Sequence, residues 1–406
     1  MAAGLVLHID SNDTPFSYLD RASGRTVRQL TTYRGHSSHP YFTDPCWFNG
    51  GRSFVFTSDR DGSSNVYRYD IEDGVVRRLT DLTGVHQENE RVFDYRPQPM
   101  YSAANDRAYY WWRNTLYELD VETGAERTVY SAPESVLLGI HAATSADGKY
   151  ICTAVRDRVE SDAPSLEYPY HKFPELMSAR PRTAIIRIEV ATGACETVHE
   201  EEQFITHVNH SPTLPNVLTF CHEGHWERVE QRIWGLDITT GTRWKIRDQS
   251  DRRYTVGHEY WFADGERIGY HGRPRSGAAD EHVYGFARWD GSDVTEVTFP
   301  YHSNHFASAD EKIIVGDGTP VRVGLDTPYI MLYTWDGERF AEPKVLAEHR
   351  CTFNHQHSHC HPRFTPDGRS ILFVSDATGY AQLYLVEIGE IENLPGVDEV
   401  QKRLAR

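Results

Sequence analysis

A turn-and-strand motif recurs seven times along the chain, which confines it to architectures that stack copies of one small unit. The copies are LDRASGRTVRQLT (19–31), YDIEDGVVRRLT (69–80), LDVETGAERTVY (119–130), IEVATGACETVH (188–199), LDITTGTRWKIR (236–247), WDGSDVTEVTF (289–299) and WDGERFAEPKVL (335–346). Their starts are spaced by 50, 50, 69, 48, 53 and 46 residues. Asp-Gly and Thr-Gly between alternating segments are hairpin signals. A second hairpin turn precedes the repeat copies, as in SADGKYICTAVRD (145–157), FADGERIGYHG (262–272) and FTPDGRSILFVSD (364–376). Two hairpins per repeat give four strands, one blade of a propeller.

The expectation is therefore an all-β fold, a seven-bladed β-propeller in a single domain. Its blades fall at about 36–80, 94–130, 139–199, 205–247, 256–299, 303–346, and 356–390 plus 16–31. The last blade has three strands of its own, near 361–366, 370–375 and 381–388, and the first repeat copy, near 24–31, has no strands before it. Joining the two closes the ring, with the N-terminal strand completing the C-terminal blade and covering an exposed edge. A row of independent β-sandwiches leaves both half-blades unexplained. Aromatic residues at 12% suit pleated, half-buried surfaces.

A formal net charge of −17 argues against nucleic acid as a partner. No run approaches the ~20 apolar residues of a membrane span. The start, MAAGLVLHIDSND, lacks the charged and cleavage regions of a signal peptide. Six scattered cysteines without CxxC spacing fit a reducing compartment. The expected setting is the cytoplasm.

The 21 histidines are informative through their positions. The starts of the innermost strands fall near His39, Tyr95, His141, His210, His258, His305 and His361, and six of these seven are histidine. The densest cluster is FNHQHSHCHPRF (353–364). In an extended segment His359 and His361 share a face and Cys360 points away. Gln356 is out of phase and can join them only if the chain turns there. The neighbouring blade offers His305. An amide beside imidazoles suits a borderline-to-hard divalent ion such as Mn²⁺.

Further stretches reach the same rim: HVNHSP (207–212), FCHEGHWERVEQRIW (220–234) and VGHEYWFADG (256–265). CHEG, RIW, GHEYW, SNHFASADEKIIVGDG and QHSHCHPRFTPDG, in that order over about 205–376, resemble the oligogalacturonate lyases, polysaccharide lyase family 22. The first 150 residues match mainly as generic blades. The resemblance implies a Mn²⁺ site on His305, Gln356, His359 and His361, a base at His258 and an active-site arginine at Arg232. It further implies short oligouronides as substrates. Two features depart from the family pattern. CHEGHW stands where the family reads CHEGPHD, and a long loop at 156–182 carries DAPSLEYPYHKF. Both bear on chain length and sugar preference.

The chemistry agrees with these residue types. A uronate has a proton on C5, α to its carboxylate, and a leaving group on C4. A metal ion and a bidentate arginine neutralise the carboxylate, and a neutral imidazole takes the proton. A histidine base implies a neutral-to-alkaline optimum. His210, His222, Arg180 and Arg182 are candidate substrate contacts. Two other classes compete: a non-catalytic TolB-like binding module, and a metal-dependent glycoside hydrolase with Glu223 or Glu259 in the acid–base role. Convergence of the four metal-type side chains disfavours the first, and an unsaturated product excludes the second.

Overall fold

The computed structural model describes residues 9–10, 13–84, 96–160, 173–276, 281–299, 301–320 and 327–405. The expected strand start near Tyr95 and most of DAPSLEYPYHKF lie outside them. The protein is an all-β seven-bladed propeller, with seven antiparallel sheets in chain order. Only two α-helices, Phe173–Ala179 and Val397–Leu404, occur among the described residues.

The repeat motif works through one side chain and one backbone angle. In LDVETG, Asp120 Oδ1 accepts the backbone N–H groups of Glu122 and Thr123 at 3.0 and 2.9 Å, and Gly124 follows at φ 70°. Asp237 does the same for Thr239 and Thr240, followed by Gly241 at φ 71°. The aspartate closes the turn, and glycine takes the left-handed conformation that an L side chain resists.

Two compact units divide the chain. One comprises Thr43–Pro45 and Thr83–Glu296, the other Val6–Phe42, Cys46–Leu82 and Val297–Arg406.

The first unit carries the second to fifth blades. The third starts with Val136–Thr144, the fourth with Ile205–His210 and the fifth with Tyr254–Trp261, each paired to the next strand in sequence. Adjacent sheets bury apolar faces against each other, as where Ile185 and Cys152 meet Phe220 and Leu236. Each of these three first strands slips register partway: between Leu138 and Ala142, Thr206 and Asn209, and Gly257 and Tyr260. Such bulges re-aim side chains locally.

The second unit carries the first, sixth and seventh blades. In the seventh, Arg363–Phe364, Ser370–Ser375 and Gln382–Glu387 are joined by Thr26–Gln29, and Val27 sits opposite Val386. The expected closure by the N-terminal strand is present. A fifth strand, Phe16–Leu19, extends the same sheet. Cys360, Val27, Leu346 and Phe373 share one buried cluster. All six cysteines are free thiols.

Candidate active site

In the second unit, the segment between the sixth and seventh blades brings four predicted side chains together. Gln356–Ser358 forms a 3-10 turn, the change of direction that Gln356 needed. Gln356 Nε2 lies 3.4 Å from His361 Nε2, and His361 Nε2 lies 3.3 Å from His305 Nε2. One ligand atom each from His305, His359 and His361 falls within 4.8 Å of the other two. His359 and His361 precede the strand Arg363–Phe364 rather than lying in it, and His361 has a left-handed rather than an extended backbone; their rings still meet, at 5.4 Å between centroids, while Cys360 between them is buried in the core.

A carboxylate sets the orientation. His305 Nδ1 donates to Asp317 Oδ2 at 2.6 Å, which leaves Nε2 carrying the lone pair toward its neighbours. Asp317 Oδ1 also accepts the backbone N–H groups of Asn304 and His305, at 2.8 and 2.9 Å. Burial lifts this carboxyl to about 6, with the His305 N–H opposing the rise. An imidazole held by a buried carboxylate is the arrangement that fixes metal-ligating histidines. Tyr41 packs edge-on to His361, and Phe42 packs against His305, at 5.0 and 5.3 Å between centroids. Three imidazoles and an amide, backed by one carboxylate and walled by aromatics, fit a divalent ion of intermediate softness.

In the first unit, the bulges carry histidines. His207 and His258 sit in the register gaps at φ 50° and 51°. His141 occupies the matching place in the third blade. His258 Nδ1 is 2.9 Å from His271 Nε2, on the adjacent strand. Trp226 meets both rings nearly edge-on, with centroids 5.2 and 5.4 Å away. Gly257 makes room for it, because a Cβ there would lie 2.3 Å from Trp226. Gly257→Ala is therefore expected to displace the indole and lower stability by about 1–3 kcal/mol, read from urea unfolding.

Arg232 is 1% exposed and lies between two carboxylates. Its Nη1 donates to Glu223 Oε1 at 2.8 Å and its Nε to Glu259 Oε2 at 3.0 Å. Its guanidinium carbon is 5.7 Å from the Trp226 ring centroid. Burial alone would raise the Glu223 carboxyl, but Arg232 and His207 outweigh it and hold the group below the usual carboxylate range. Arg232→Ala leaves two buried carboxylates without their cation. A loss of about 3–5 kcal/mol is expected, measured by chemical denaturation.

The remaining predicted residues lie elsewhere in this unit. His210 is buried at the turn end of its strand, three residues past His207, and burial lowers its pKa to about 4. His222 is 2.8 Å from Glu201 Oε1, which is also 3.2 Å from His199. Arg182 is exposed and pairs with Glu200 through Nε and Nη2, at 2.9 and 2.6 Å. Arg180 is exposed after the helix Phe173–Ala179.

Sequence reasoning passed over His207, although a signal was present. His141, His207, His258 and His361 each stand four residues before the first turn residue, at Ser145, Ser211, Phe262 and Thr365. His207, His258 and His361 also share a left-handed backbone, with φ of 50, 51 and 44°. His207 Nε2 lies 3.3 Å from Glu223 Oε2, and its ring stacks on His141 at 4.9 Å.

The fold and the side chains define a class: a seven-bladed propeller with a histidine–glutamine cluster of metal-binding type. A sequence profile described as oligogalacturonate lyase matches residues 10–391. The chain belongs to that family, and is a lyase acting on oligogalacturonides. It is 28% identical over 387 residues to an oligogalacturonide lyase of Pectobacterium atrosepticum, covering 92% of this chain and 95% of that one. It is 27% identical over 392 residues to an oligogalacturonate lyase of Dickeya dadantii, with the same two coverages. A solved structure described as oligogalacturonate lyase in complex with manganese superposes with a TM-score of 0.81, at 23% identity, covering 97% of this chain and 99% of that one. An oligogalacturonate lyase from Vibrio parahaemolyticus superposes at 0.82, with 22% identity and coverages of 95% and 99%. Family membership replaces the binding-module and hydrolase readings.

Proposed function

We propose that this chain cleaves short oligogalacturonides, such as digalacturonate and trigalacturonate, by β-elimination, with His258 as the base. His305, Gln356, His359 and His361 would hold Mn²⁺. The observation that carries the metal assignment is the convergence of His305 and His361 Nε2 at 3.3 Å, with Asp317 fixing the first ring. The manganese in the related lyase structure supports the choice of ion. When bound, the ion supplies Lewis-acid neutralisation of the uronate carboxylate.

The proton balance is simple. His258 takes the C5 proton, the C5–H electron pair forms the C4=C5 double bond, and the C4–O bond breaks. The departing oxygen takes a proton from water. Arg232 is the second proposed neutraliser of the carboxylate, on one physical condition: a donor now turned to Glu223 or Glu259 has to be shared with the substrate. His222 and Arg182 already pair with carboxylates, so we give them at most a substrate-contact role, with Arg180 and His210. The absence of disulfides supports a cytoplasmic setting. The test is substrate turnover followed in the near ultraviolet, where the conjugated product absorbs and a hydrolysis product does not.

A further inference from the structure

His258 has a built partner on the neighbouring strand. His271 lies on Arg267–Pro274, the strand paired with the His258 strand, and its Cα partner across the ladder is Gly257. The bulge between Gly257 and Tyr260 gives His258 a φ of 51°. There its Nδ1 sits 2.9 Å from Nε2 of His271. His271 is 4% exposed, and Trp226 packs steeply inclined against both rings. Two glycines shape this spot. A Cβ on Gly257 would strike Trp226, and one on Gly272 would lie 1.8 Å from the Thr255 carbonyl oxygen. Trp226 stands in CHEGHW, where this chain departs from the family pattern.

A hydrogen bond between two neutral imidazoles has one donor and one acceptor, so it selects a tautomer for each ring. A base that receives a carbon-bound proton on Nε2 must carry its own hydrogen on Nδ1. Of the two directions this 2.9 Å contact allows, donation of Nδ1–H of His258 to Nε2 of His271 gives that form. When His258 gains the C5 proton it becomes an imidazolium, and the same bond becomes charge-assisted and stronger. The contact therefore favours the state in which the proton has moved.

We propose that His271 is a positioning residue that holds His258 with its hydrogen on Nδ1, and that Trp226 clamps the pair. This rests on His258 being the base. His271 itself touches no substrate atom in this scheme, and the proton stays on His258 until it returns to water. Among the charged groups nearby, Arg232, paired with Glu223 and Glu259, lies over the Trp226 ring, and Glu227, next to Trp226 in the chain, pairs with Arg273, two residues past His271.

Two variants separate positioning from packing. His271→Phe keeps the ring volume and removes the acceptor. His271→Gln places an amide oxygen near the position of Nε2 and keeps it. With Mn²⁺-loaded full-length protein and digalacturonate, His271→Phe is expected to lower kcat about 10–100-fold with KM little changed, and His271→Gln to retain most of the activity. The second readout is independent of turnover: ¹⁵N spectra of the full chain loaded with Mg²⁺. In the wild type, His258 should show a protonated Nδ1 and an unprotonated Nε2, and in His271→Phe a mixture. Wild-type kcat in His271→Phe, equal damage in both variants, or a proton on Nε2 of His258 in the wild type would each overturn the proposal. If His258→Ala keeps normal turnover while the tautomer is as expected, the base reading fails and the positioning contact stands.

Discussion

Replacing His258 with alanine is expected to lower kcat on digalacturonate by about 10²–10⁴-fold, the range of a lost general base, while KM changes little. The side chain lies in a register gap, on a strand anchored on both sides of the gap, at Val256↔Gly272 and Tyr260↔Gly269. Its removal should therefore leave the blade folded, and a melting temperature near that of the wild type would attribute the loss to chemistry. Added imidazole should restore part of the rate, because the cavity left beside His271 and Trp226 is ring-shaped. A His258→Ala protein with ordinary turnover removes the base assignment, whatever the state of the metal.

The second large effect concerns the cluster in the other unit. His361→Ala removes the ring that lies within 3.4 Å of both Gln356 Nε2 and His305 Nε2. Titration of the metal-free protein with Mn²⁺ should show affinity reduced at least about 10–100-fold, and turnover at limiting Mn²⁺ should fall with it. At saturating Mn²⁺ part of the activity should return. A rate still about 10²–10³-fold down would mean that His361 also sets the position of the ion relative to the substrate carboxylate. Unchanged Mn²⁺ affinity would show that the ion binds elsewhere.

The architecture was legible because its signals are local. An aspartate that caps a turn and a glycine four residues later are read directly from DVETG and DITTG. Closure of the ring followed from counting strands at the two ends, and Val27 opposite Val386 bears it out. The metal-type residues were legible for a related reason, since three of the four lie within six positions of one another. His207 was not legible because a bulge adds residues that simple alternation does not count. The partners of the catalytic-type residues were illegible. His271, Glu223, Glu259 and Asp317 reach His258, Arg232 and His305 across strands or loops, and nothing in YHG or VGDG marks a neighbour 12 or 13 residues away. On the proposed mechanism an anionic substrate needs no positive net charge, because neutralisation is concentrated in a few groups.

Everything mechanistic depends on bond breakage by proton removal beside a histidine-held cation. The most direct measurement is near-ultraviolet absorbance during incubation of digalacturonate with the protein, first stripped with EDTA and then supplied with Mn²⁺. Absorbance that is negligible after stripping and rises once the ion is restored is the predicted result. Cleavage to sugars with no rise in absorbance, or an equal rise with and without the ion, would contradict it.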